Sequence, residues 1–153
     1  MQFPDLPFED APDAPVSFHF EDVTFELPDQ QMLTDWLLAV AAAESKDFYE
    51  VNYIFCSDER LRTINVEFLD HDYYTDVITF PLSDGHIHGD IFISTERVDE
   101  NARTEGSSFL QELCRVMVHG VLHLAGYGDK TPKQVVTMRN KENEYLQRLP
   151  AIG

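Results

Sequence analysis

Between Ser108 and Gly126 the sequence offers a helix with almost no polar surface. Leu110, Leu113, Val116, Met117, Val118, Val121 and Leu122 spread around its circumference. A helix apolar on most sides must be buried on most sides, so the rest of the chain has to be built around it. Its polar residues Ser108, Glu112, Arg115, His119 and His123 fall within an arc of about 80° at 100° per residue. That stripe is expected to face a cleft or solvent. The 153 residues are 43 % apolar, with eleven Phe and six Tyr, enough to surround such a helix within one domain.

Five strand-like segments surround it. Val16–Phe20 and Val23–Leu27 alternate weakly and are expected to pair as a hairpin. Glu50–Cys56 is rich in β-branched and aromatic residues, and Thr75–Leu82 and His88–Thr95 flank an Asp84-Gly85 turn. Helices are expected over roughly 30–45 with Asp29 as cap, and after Ser57 with Leu61, Ile64 and Phe68 inward. A short polar helix should cover Glu96–Glu105, and a last helix should start at Thr131-Pro132-Lys133-Gln134. The partial alternation of strands and helices predicts a mixed α/β (α+β) fold with a small sheet of about four strands. Residues 1–15, with four prolines and four acids, read as a flexible lead-in, and residues 16–153 as a single domain.

The charge is uneven. Overall, 28 acids face 11 bases. Residues 1–30 hold eight acids and no base, whereas residues 103–153 hold seven bases against five acids. Nucleic acid is repelled by most of such a surface and admitted, if anywhere, at the C-terminal third. The acid-rich, lysine-poor balance suits a salt-rich cytoplasm, where screening weakens self-repulsion. Two cysteines cannot build a disulfide framework, which points to a reducing cytoplasm. No stretch approaches the ~20 apolar residues of a membrane span, and the base-free N-terminus is not expected to be a secretory signal.

The chemistry concentrates in His119-Gly-Val-Leu-His123-Leu-Ala-Gly126-Tyr-Gly-Asp129. Histidines four apart on a helix project from one face. Gly126 supplies the left-handed residue that stops a helix and turns the chain back, which can return Asp129 toward the two rings. Two imidazoles and a carboxylate leave zinc an open position, the pattern of a catalytic site. The spacing is that of metzincin peptidases, which suggests a zinc peptidase as one alternative. Gly120, however, stands where the peptidase glutamate would be, and a mid-helix Gly implies that something approaches closely there.

HGVLHLAGYGD resembles the HGxLHLxGYDH signature of the YbeY family of bacterial endoribonucleases. Asn65–Pro81, NVEFLDHDYYTDVITFP, is similar to the family's Asn-aromatic-Asp segment followed by T-D-V-[LI]-[ST]-F-P. Gly89–Ser94, GDIFIS, is similar to its G-D-I-x-I-S segment. The resemblance implies a zinc-dependent, single-strand-specific endoribonuclease of 16S ribosomal RNA maturation and ribosome quality control, working with the small ribosomal subunit. It places the metal ligands at His119, His123 and Asp129, the last departing from the family's usual His. Leu69 stands where many members carry an Arg that contacts the RNA. Arg115 is then the candidate cation, ahead of Arg60, Arg62 and Lys130.

Asp76 and Asp90, in the two matched strand segments, are candidate catalytic carboxylates beside Arg115. His86 and His88 read as an exposed pair, and Cys114 as packing. A non-catalytic ribosome-assembly factor with a structural metal is the remaining alternative.

Overall fold

The computed structural model of the chain describes residues 14–151. Most of the expected lead-in, residues 1–13, lies outside them. Its order is β1 (Val16–Phe20), α1 (Gln30–Ala43), β2 (Asp47–Cys56), α2 (Asp58–Leu69), β3 (Val77–Pro81), β4 (His86–Ser94), α3 (Thr95–Glu105), α4 (Phe109–Leu124) and α5 (Pro132–Leu146). The sheet order is β1-β2-β4-β3. β1 and β4 flank β2 in parallel, and β3 closes the edge antiparallel to β4 through the Asp84-Gly85 turn.

The apolar α4 dictates this layout. Leu113, Met117, Val118, Val121 and Leu122 are fully buried in one core with Val51, Tyr53, Phe55, Ile87, Ile91 and Ile93 from the sheet. Tyr53 drives its hydroxyl into α4, donating to the Met117 carbonyl at 2.8 Å. The Gly120 position explains itself here. A Cβ on Gly120 would lie 2.6 Å from Ile91 Cδ1, so helix and sheet can touch only because that side chain is a hydrogen. α2 covers the other sheet face through a smaller cluster of Cys56, Leu61, Ile64 and Ile78.

Local start signals work as expected at three helices. Ser57, Ser108 and Thr131 each accept from the backbone N–H three residues on, and Gln111 and Gln134 complete two capping boxes.

Three expectations fail. Val23–Leu27 forms no strand, because β1 pairs with β2 instead. Phe25 plugs the end of the core, edge-on to Phe20, Phe55 and Phe109. The chain between is held by Asp22, which accepts from the Ser57 N–H and hydroxyl. Asp29 precedes α1 in a left-handed conformation (φ 55°) with no side-chain cap bond, so that helix starts without its expected cap. Phe68 is 66 % exposed, while Asn65 is buried in its stead and donates to the Tyr73 carbonyl. Phe68 lies at the end of α2, just before Asp70 turns left-handed (φ 56°), and touches the sheet only edge-on at Phe80.

Candidate metal centre

The α4 stripe opens onto a cavity of about 430 Å³ beneath α5. Asp76, Glu112, Arg115, His119, Asp129 and Glu142 contribute its polar wall.

The C-terminus of α4 is shaped by Gly126. At φ 114° it permits a reversal in which Tyr127 N–H reaches the Leu122 carbonyl (3.0 Å) and Gly126 N–H the His123 carbonyl (3.1 Å). This paired closure is the Schellman arrangement, which favours glycine at that step. It has two consequences. The Tyr127 carbonyl comes to lie 2.9 Å from His123 Nδ1, and Asp129 returns so that its Oδ2 lies 3.4 Å from His119 Nε2. Tyr127 is itself anchored, since its hydroxyl donates to Glu44 of α1 at 2.7 Å.

The protons on the two rings follow from their partners. A carbonyl oxygen can only accept, so His123 Nδ1 carries a hydrogen. His119 Nδ1 lies 2.7 Å from Glu142 Oε2. An ionised carboxylate also only accepts, so that nitrogen carries a hydrogen as well. Both rings therefore offer an unprotonated Nε2 when neutral. They lie 6.3 Å apart between centroids and within 18° of parallel. Among the described residues, no three His, Cys, Asp or Glu side chains converge closely enough to hold an ion as they stand. The donor chemistry nevertheless fits a divalent ion. It consists of two imidazoles with Nδ1–H engaged by a carboxylate and a carbonyl, the pattern of metal-ligating histidines, and a carboxylate beside one free Nε2.

Charge is unusually dense here. Burial alone would lower the His119 pKa, but the Glu142 hydrogen bond and the charges of Glu142, Asp129 and Asp76 hold it above its ordinary value. Burial would raise Glu142, yet its bonds to His119 and Arg115 bring it below the usual carboxylate range. Asp76 goes the other way, because burial pushes its carboxyl up more than His119 pulls it down.

The structure brings four of the sequence candidates, His119, Asp129, Asp76 and Arg115, to one cavity. His123 sits one turn along α4, exposed, outside the cavity lining. Asp90 is not brought to the site. Ile87, Ile91 and Ile93 point at α4, so strand alternation turns Asp90 to the opposite face, where it accepts from Asn52 at 3.0 Å. Of the other cations, Arg60 pairs with Glu21 and Arg62 with Asp72, away from the cavity. Leu69 is 39 % exposed and supplies no charge. His86 bonds to the Asp84 carbonyl and His88 to Ser83, with Glu50 Oε1 3.9 Å from His88 Nε2; among the described residues no metal-holding group forms there.

Sequence reasoning missed Glu142. It is 5 % exposed and binds Arg115 Nη1 (3.0 Å) as well as His119. The sequence does hold a signal for it. Met138, Glu142 and Tyr145 share the buried stripe of α5, and an acid in such a stripe must have partners.

Comparison with known proteins gives the fold and site a family. The sequence model described as Endoribonuclease YbeY matches residues 16–150. A curated Endoribonuclease YbeY of Flavobacterium johnsoniae is 49 % identical over 86 % of this chain and 94 % of its own length. The Cytophaga hutchinsonii relative of the same name is 49 % identical over 86 % and 93 %. That of Amoebophilus asiaticus is 44 % identical over 88 % and 93 %. The solution structure of a Thermotoga maritima protein superposes with a TM-score of 0.62 at 29 % identity, covering 88 % of each chain. The chain belongs to the endoribonuclease YbeY family.

Proposed function

We propose that this protein is a zinc-dependent endoribonuclease that cuts single-stranded ribosomal RNA during 16S maturation and quality control, on the small ribosomal subunit, in the cytoplasm. The observation that carries the reading is the pair of parallel imidazoles with both Nδ1–H groups engaged and Asp129 3.4 Å from one free nitrogen. His119, His123 and Asp129 would hold the ion. A bound divalent cation supplies Lewis-acid polarisation of the phosphodiester and lowers the pKa of the attacking hydroxyl.

The chain's own groups do the rest. Asp76, with its carboxyl pushed up by burial, accepts the proton given up by the nucleophile. Arg115, which lines the cavity together with Arg139, offsets charge developing on the phosphate. Exposed Lys130 and Lys133 lie at the start of the adjoining α5, where the otherwise acidic surface admits a polyanion.

The peptidase alternative is disfavoured by Gly120. That position packs on Ile91, so a glutamate there would have to displace the sheet rather than reach the cavity. No helix among the described residues is long and apolar enough to cross a membrane.

The test is cleavage of a labelled single-stranded RNA by the zinc-loaded chain, with zinc content measured on native and His119→Ala protein. His119→Ala should lose both cleavage and most of its zinc. Equal cleavage by that variant overturns the proposal. Binding to ribosomal subunits with no cleavage by the native chain would favour an assembly factor instead.

A further inference from the structure

We propose that Glu142 is a positioning residue of this centre: from α5 it fixes His119 in the tautomer that leaves Nε2 free for a divalent cation. The inference rests on His119 being a metal ligand.

Burying a carboxylate is expensive unless it is paired and hydrogen-bonded. Between Met138 and Tyr145 a leucine would serve packing better. Glu142 divides its two oxygens. Oε1 takes Arg115 Nη1 at 3.0 Å, with Arg139 Nη1 at 3.5 Å, while Oε2 takes His119 Nδ1 at 2.7 Å. The arginines keep the group ionised and hold its plane, so its second oxygen points at the ring and cannot donate. His119 Nδ1 must then supply the hydrogen. His123 manages with a neutral carbonyl, but it is exposed. His119 is deeper, and a charged partner there both orients the ring and raises the basicity of Nε2.

A bland alternative is that Glu142 only neutralises Arg115 and Arg139. The two readings separate in Glu142→Gln, which keeps the volume. Its single amide oxygen would go to Arg115, turning the NH2 toward His119 Nδ1. That nitrogen would become an acceptor and the proton would move to Nε2.

The experiment is long-range 1H–15N NMR of the histidine rings in the full metal-free chain, at a pH alkaline enough to leave His119 neutral, with zinc affinity from chelator competition. Native His119 should show the Nδ1–H form. Glu142→Gln should shift it to Nε2–H and weaken zinc by about 10–100-fold. Native His119 protonated on Nε2 overturns the proposal, and this readout stands even if the variant does not fold. A folded Glu142→Gln chain with unchanged tautomer and zinc affinity also overturns it. A His119→Ala chain that binds zinc as tightly as the native one overturns the ligand reading itself. Zinc binding that needs His119 but not Glu142 overturns only the present inference.

Discussion

Replacing Gly120 by alanine sets two known effects against each other. Helix propensity alone favours the change by about 1 kcal/mol. Against it, the new Cβ would meet Ile91 Cδ1 at 2.6 Å, Cγ2 at 3.1 Å and Cγ1 at 3.2 Å. Branching fixes χ1 and so holds Cγ1 and Cγ2 in place, and full burial leaves Cδ1 little room to turn aside. Overpacking of this kind costs roughly 1–3 kcal/mol. The expected net effect is a loss of up to about 2 kcal/mol, or several degrees of melting temperature at roughly 3 °C per kcal/mol for this size. Ile91→Val deletes the atom at 2.6 Å and by itself costs about 0.5–1.5 kcal/mol. In the double variant the two losses should not add, and a coupling of at least ~0.5 kcal/mol is expected. Urea unfolding of the native chain, both single variants and the double variant measures it. Additive losses, or a Gly120→Ala chain stabilised by the full propensity gain, would refute the close approach of α4 to β4.

Two more outcomes follow from the same geometry. Burial alone would raise the Glu44 pKa, but bonds from Tyr145, Tyr127 and Lys141 bring it below the ordinary 4.5; a depressed carboxylate stabilises the fold fully above its ordinary value and loses the contribution as pH falls from there through its lowered folded-state value. The stability advantage of native protein over Glu44→Gln should therefore be full at neutral pH and shrink as the solution is acidified below 4.5, and a constant difference down to strongly acid pH would contradict the cluster. Asp76→Asn should slow RNA cleavage by roughly 10²-fold or more, whereas Asp90→Asn, on the far sheet face, should leave it unchanged. Equal losses in single-turnover assays would mean that strand alternation has been misread.

What was legible in the sequence depended on how far apart the interacting residues lie. Ser57, Ser108 with Gln111, and Thr131 with Gln134 each satisfy a backbone group within a few residues, and Asp84-Gly85 reverses the chain through a left-handed glycine (φ 78°), so the local sequence alone exposes them. The β1–β2 pairing joins Val16 to Val51 with α1 between, and nothing local distinguishes it from a hairpin with Val23–Leu27. The isoleucine alternation at 87, 91 and 93 already assigns Asp90 to the face away from α4. The apolar side of β4 had to be the side that meets an apolar helix.

The two histidines divide along the same line. His123 takes its partner from the turn that Gly126 makes four residues later, so its environment is written in the adjacent sequence. His119 takes its partner from α5, 23 residues away, and that partner is held by an arginine from α4 itself. Arg115 and His119 are one turn apart on the stripe, so a carboxylate able to bridge both must approach from a neighbouring helix. Sequence spacing can therefore name a pair of rings, but it cannot name what orients the buried one. For that ring the orienting group is also a buried carboxylate, only 5 % exposed. Its shared hold on His119 and Arg115 is what marks it as part of the site rather than of the core.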